Sequence, residues 1–192
     1  MKIIISTLFA ILLISGTSFA QHVNFGIKGG VNSYTIKGDN TAGFDSKTSF
    51  HIGLIGHIHM ANQFALQPEL VYSVQGAQNG VAGQDVELDL NYVNVPLLFQ
   101  YMFDNGFRLQ AGPQLGFLAS AKSGVNDNKT DVTDNFESMD LGLGVGASYV
   151  NPATNFGVDV RYNMGLSNIN KTGNANYYNR GFQAGVFYLF KH

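Results

Sequence analysis

Taken alternately, the residues from Asn155 to Leu166 separate into two unlike faces. Phe156, Val158, Val160, Tyr162, Met164 and Leu166 share one face, and Gly157, Asp159, Arg161, Asn163 and Gly165 share the other. A period of two is that of a β-strand. Alternation this strict requires an apolar medium on one side and a polar or tightly packed one on the other. The pattern returns along the chain, and its spacing predicts eight strands: Val23–Tyr34, Ser49–Met60, Phe64–Gln75, Asp89–Phe103, Phe107–Ala119, Ser138–Val150, Asn155–Leu166 and Asn179–Phe190.

The connections alternate in length. Ala61-Asn62-Gln63, Asp104-Asn105-Gly106 and Asn151-Pro152-Ala153-Thr154 have the composition of tight turns. Between them, Thr35–Thr48, Gly76–Leu88, Ser120–Glu137 and Ser167–Tyr178 read as long polar loops. Short turns at one end and long loops at the other mark a barrel that crosses an outer membrane, with the loops outside the cell. The predicted fold is therefore all-β: a closed antiparallel eight-stranded up-and-down transmembrane β-barrel, with both termini in the periplasm.

Charge separates this reading from a soluble, lipocalin-like ligand binder with the same alternation. Charged residues make up 12% of the chain, against roughly 25–35% on a water-facing surface. None of the apolar positions on these faces, from Phe50, Ile52 and Leu54 through Val93, Val95 and Leu97 to Phe182, Ala184 and Val186, is charged, and an Arg or Lys facing lipid near the bilayer midplane would cost about 2–4 kcal/mol. The opposite faces carry Lys28, Glu69, Arg108, Asp140, Asp159 and Arg161, three of each sign. Charges in a lumen only wide enough for side chains need partners, so these six are expected to form a network. Phe187, Leu189, Leu98 and Leu118 also project inward, which argues against a wide channel. The net charge of −2 offers no basic field for nucleic acid.

The first twenty residues read as an address. Lys2 precedes an apolar run from Ile3 to Ile14, and Ser18-Phe19-Ala20 supplies small residues where a signal peptidase cuts. Residues 1–20 are expected to be a cleaved signal peptide and residues 21–192 the barrel domain. The apolar run is shorter than the ~20 residues of a spanning helix. The chain has no cysteine, so neither a lipid anchor through cysteine nor a disulfide is available.

Three stretches carry a family resemblance. Tyr92-Val93-Asn94-Val95-Pro96-Leu97-Leu98-Phe99-Gln100-Tyr101 resembles the aromatic-x-x-Ile/Val-Pro-Leu-Leu strand of the PorT-like outer-membrane β-barrel family. Ala111-Gly112-Pro113-Gln114-Leu115-Gly116-Phe117 is similar to the Gly-Pro-x-Leu-Gly strand that follows it, and Gly26-Ile27-Lys28-Gly29-Gly30-Val31-Asn32 to the opening strand. The resemblance implies an outer-membrane barrel of a Gram-negative bacterium and no catalytic residues. Two departures stand out: Asn94 and Gln100 replace residues that are often acidic and basic, and the chain ends on His192 instead of an aromatic.

Other constellations carry less. His51, His57 and His59 share the inward face of the second strand, and His57 and His59 are the metal candidates, but no further ligands can be named beside them. The acidic run Asn126–Asp134 lacks the Gly and Glu of a calcium-binding loop and reads as a solvated surface segment. Gly142-x-Gly144-x-Gly146 lies inside a strand with no helix to follow, so it is no phosphate cradle. No enzyme activity and no cofactor are expected. The expected function is a structural or surface-interaction role through the extracellular loops, Ser120–Glu137 and Ser167–Tyr178 foremost. A narrow porin-like channel and a membrane-embedded enzyme are the alternatives. The expected partners are outer-membrane lipid, the barrel-insertion machinery and an extracellular protein or small ligand at the loops, with the protein a monomer.

Overall fold

A computed structural model describes residues 23–39, 41, 44–81, 84–125 and 128–190. The predicted signal peptide and His192 lie outside the described residues. The strands are β1 (Val23–Gly38), β2 (Asp45–Ala61), β3 (Phe64–Val81), β4 (Gln84–Met102), β5 (Phe107–Val125), β6 (Asn128–Asp131), β7 (Met139–Val150), β8 (Phe156–Gly165) and β9 (Tyr177–Leu189). Each pairs antiparallel with its neighbours, β9 closes on β1 and β4 bonds β5. The result is a closed eight-stranded up-and-down barrel to which β6 adds a short flap along the upper end of β5.

The faces follow the alternation. Ile52, Phe99, Val160 and Phe182 are 57–64% exposed on the outer wall, where lipid covers them, whereas Lys28, Glu69, Asp159 and Arg161 are buried inside. The turns form where glycine and asparagine allow them. Gly106 (φ 88°) and Asn155 (φ 60°) take left-handed conformations that reverse the chain, and the Asn155 amide donates to the Asn151 carbonyl at 2.9 Å. Aromatic residues ring the periplasmic end, with Tyr101 edge-on to both Phe64 and Phe103.

The upper half departs from the sequence reading. Three of the predicted loops, Thr35–Thr48, Gly76–Leu88 and Ser120–Glu137, are largely strand. β2 to β5 run 17, 18, 19 and 19 residues, against the ~9–11 a bilayer needs, while β7 and β8 stop at 12 and 10. One wall of the barrel therefore stands well above the membrane. These segments stay extended because their inward side chains are apolar. Ile36, Ala77, Leu90, Tyr92 and Ala121 are buried and form a core with Ile169. Likewise Asn126–Asp134 is not wholly a loop, since residues 128–131 pair with β5.

Candidate functional site: a filled lumen beneath an extracellular vestibule

The lumen is filled in three tiers. Near the periplasmic end Ile55, Val150, Phe187 and Leu189 form a small apolar cluster. The Phe187 ring lies where any side chain at Gly157 would have to sit, so that glycine makes room for it.

Above this lies the charged tier. Arg161 grips Glu69 with both guanidinium ends, NH1 donating to Oε2 at 3.0 Å and NH2 to Oε1 at 2.7 Å. Lys28 Nζ bridges Glu69 at 3.4 Å and Asp159 at 3.2 Å. All four side chains are at most 3% exposed. A Cβ added at Gly144 would meet the Asn163 and Arg161 side chains at 3.0 and 3.2 Å, and one at Gly146 would run into the Val160 carbonyl oxygen, so both glycines let the neighbouring strand and its Arg161 lie close. Gln67 donates to Glu69, and Gln100 donates to both Gln67 and Gln110, so amides carry the network across three strands. Gln100 thus works as a neutral bridge between Gln67 and Gln110.

The six charges expected in one network divide. Lys28, Glu69, Asp159 and Arg161 meet. Asp140 stands apart and accepts hydrogen bonds from Asn179 and Ser167, both at 2.9 Å, instead of an ion pair. Arg108 is half-buried toward the periplasmic end, across from Ser148, and makes no ion pair among the described residues. Strand position is the cause: both lie on the β5–β7 side, displaced along the axis from the β1–β3–β8 cluster.

The histidines also separate. His51 is buried, and its Nδ1 donates to Asn32 Oδ1 at 2.8 Å. His57 is buried with its ring edge-on to that of exposed His59, centroids 4.7 Å apart. Among the described residues no group of three or more His, Asp or Glu is arranged to hold a metal ion.

The third tier is apolar again and reaches the extracellular surface. Ile169 descends from the last loop to full burial among Ile36, Leu90 and Ala121, and Phe44, Val132, Phe136 and Tyr177 pack around it. The two loops named from sequence are tied together. Phe136 bridges Asn170, the Glu137 amide donates to the Ile169 carbonyl, and the Lys171 amide donates to the Asn135 carbonyl. Asn168 and Asn170 stabilise the second loop from within, bonding the amides of Tyr177 and Thr172. This accounts for its asparagine content. The paired tyrosines divide, Tyr177 facing the vestibule and Tyr178 the outer wall.

A cavity of about 360 Å³ remains in this tier, within the range of small-ligand sites. Phe44, Leu88, Val132, Phe136 and Tyr177 supply its apolar wall, and Asn79, Asn135, Asn170 and Glu87 its polar groups. Glu87 belongs to an ion cluster in which Lys47 and Lys129 each bond both Glu87 and Asp89. Hydrogen bonds from Lys129 and Lys47 hold the Glu87 carboxyl down to about 2. Backbone amides lower two surface carboxyls in the same way, Asn176 at Asp39 and Thr133 at Asp131. Sequence reasoning missed this tier, although Val86, Leu88, Leu90 and Tyr92 alternate with polar residues and continue the strand signal upward.

The architecture recurs among solved structures. Neisserial surface protein A superposes with a TM-score of 0.57 at 16% identity, over 88% of this chain and 99% of that one. Ail, the attachment invasion locus protein of Yersinia pestis, superposes at 0.53 and 16% identity, over 87% and 98%. Ail in complex with the heparin analogue sucrose octasulfate gives 0.52, again at 16% identity, over 88% and 99%. No curated protein is significantly similar in sequence. The profile of the outer membrane protein beta-barrel domain matches residues 19–171, and with the closed, lipid-faced barrel this makes the chain a member of that family, an integral protein of the Gram-negative outer membrane.

Proposed function

We propose that this protein is a surface-interaction barrel whose working part is the extracellular tier, carried on a barrel whose charged middle tier, Lys28, Glu69, Asp159 and Arg161, serves as a structural pillar. The observation that carries this reading is the upper core. A barrel needs no strand beyond the bilayer to stay embedded, yet β2 to β5 continue upward, bury Ile169 and partly bury Phe136, which come from the segments 166–176 and 132–138. That core turns flexible loops into a fixed platform, and rigid scaffolds position contact residues on such loops. The tiers of buried side chains leave no room for a wide pore.

The finer assignments belong to the same reading. The chain sorts with PorT-like barrels by its Val95-Pro96-Leu97-Leu98 strand. It loses residues 1–20 on export, is folded by the barrel-insertion machinery and works as a monomer without catalysis. Amino-terminal sequencing of the protein from outer membranes should begin at Gln21. Ail has been captured with a heparin analogue, which places extracellular glycans among the probes worth using.

The test is an array of extracellular proteins and glycans probed with the barrel in nanodiscs. Binding is expected to at least one of them, and to fall when the exposed platform residues Asp134, Lys171 and Thr172 are changed together to Ala. A protein that binds nothing and instead passes steady, large currents in planar bilayers would overturn the proposal.

A further inference from the structure

The outer wall carries one feature that neither the lumen nor the platform uses. Along β1, β2 and β9 runs a groove of about 410 Å³ lined by Ser33, Thr35, Lys37, Ser46, Tyr178 and Arg180, with Tyr162 and Phe182 at its foot. Lys37 and Arg180 are exposed and form no ion pair among the described residues. In the β1–β9 register Thr35 faces Arg180 and Lys37 faces Tyr178. The two cations are therefore diagonal neighbours, about 7–8 Å apart at their bases, within reach of one anion between them. The nearest acid in sequence, Asp39, is turned to Asn176, which donates to it from backbone and side chain.

Height decides what that anion is. Tyr162 and Phe182 pack with centroids 4.7 Å apart on the outer face. From Phe190 in the periplasmic girdle back to Phe182 the strand climbs roughly 20 Å along the membrane normal, at about 3.4 Å per residue and a tilt near 40°. That nearly spans the apolar band of about 25 Å. Arg180 and Lys37 stand just above it, at the level of the outer leaflet's headgroups. Directly below, on the same three strands, lies a second groove of about 550 Å³ whose wall is apolar: Ile27, Gly29, Ile52, Leu54, Val186 and Tyr188. Hydroxyls and cations above, aromatic rings between and an apolar trough beneath reproduce in order the phosphate, sugar–acyl boundary and chain of one lipid.

We propose that this wall is a binding site for a phosphorylated glycolipid of the outer leaflet, with Lys37 and Arg180 holding a phosphate, Ser33, Thr35 and Ser46 meeting the sugar, and the Ile27–Leu54–Val186 trough receiving an acyl chain. Charge complementarity selects the occupant: two cations without acidic partners, on a wall otherwise free of charge, fit a phosphate better than a zwitterionic or neutral headgroup. The site is independent of the platform proposed above.

The test uses the full barrel refolded in a zwitterionic detergent and titrated with a phosphorylated outer-leaflet glycolipid, its dephosphorylated counterpart and inorganic phosphate, with native mass spectrometry as the readout. One phosphorylated glycolipid should be retained per barrel. The double variant Lys37→Gln/Arg180→Gln should lower its affinity by about tenfold or more, while Lys122→Gln, which alters an exposed cation on β5 outside the groove, should leave it unchanged. Both altered residues are exposed, and heat-modifiable migration on gels reports that the variant is folded. Should the double variant fold poorly, Lys37→Gln alone is expected to weaken binding. Equal retention of the dephosphorylated lipid, equal binding by folded variants, or full competition by inorganic phosphate would each overturn the proposal.

Discussion

Lys28 and Ile36 stand on the same face of β1, and Glu69 and Ala77 on the same face of β3, all four buried. The lower pair belongs to an ion cluster wrapped in lipid, the upper to an apolar core above the lipid. The difference lies in what surrounds each level. Where hydrocarbon covers the wall, apolar side chains lose nothing by facing out, and above the small apolar cluster around Phe187 the lumen is left to polar groups that pair with one another. Above the bilayer the wall meets water, and the usual order returns with apolar residues inside. A single chain thus folds under two opposite rules, and the change between them locates the membrane surface.

The comparison breaks most sharply at Arg161. Removing it leaves Glu69 buried without its bidentate partner, so Arg161→Ala should destabilise the barrel by about 3–5 kcal/mol, measured by urea titration in lipid vesicles. A loss under about 1 kcal/mol would mean that water reaches the charged tier. In the upper tier, Ile169→Ala should cost about 2–5 kcal/mol but locally. Amide exchange should quicken across residues 84–91 and 128–137 while the membrane-level strands stay protected. Uniform loss of protection would show that the two tiers are one cooperative unit.

The outer wall gives the next test. Val160 is 57% exposed on the lipid face, and Val160→Arg should impair insertion by about 2–4 kcal/mol. The same charge placed at Thr130, on β6 above the membrane, should be tolerated.

Acid probes the weakest part. Because Glu87 is held to about 2, below its ordinary value of 4.5, its ion pairs contribute fully above about pH 4.5 and are lost as pH falls toward 2. The group is partly exposed, so the effect is modest. Exchange protection of β6 should decline between pH 5 and pH 3 with the barrel intact, and Glu87→Gln should reduce that dependence, leaving the part carried by Asp131.

The membrane half of this fold is legible residue by residue. Alternation from Phe156 to Leu166, the absence of charge on the lipid face and the turn at Asp104-Asn105-Gly106 each predict what is found. The upper half was misread for a physical reason. Asp85, Glu87 and Asp89 suggest a solvated loop when composition is weighed, yet Val86, Leu88 and Leu90 between them keep the strand period. The ion cluster illustrates a second limit. Sequence supplies the inward charges of both signs, but which of them meet depends on strand stagger around the barrel, so Arg161 reaches Glu69 while Asp140 turns to Asn179. Ile169 could not be placed in advance, since nothing local marks one isoleucine in an asparagine-rich loop as the residue that returns to the core.

The change of medium along one strand can be measured directly, because the chain has no native cysteine. Leu115 and Lys122 both lie on β5 and are both exposed. Leu115→Cys and Lys122→Cys variants, each reconstituted in vesicles, would be treated with a membrane-impermeant maleimide. Labelling should be rapid at position 122 and almost absent at position 115, which becomes reactive only when the protein is unfolded in urea. Equal labelling of both positions in the folded, vesicle-bound protein would contradict this, since the outer wall at Leu115 would then face water.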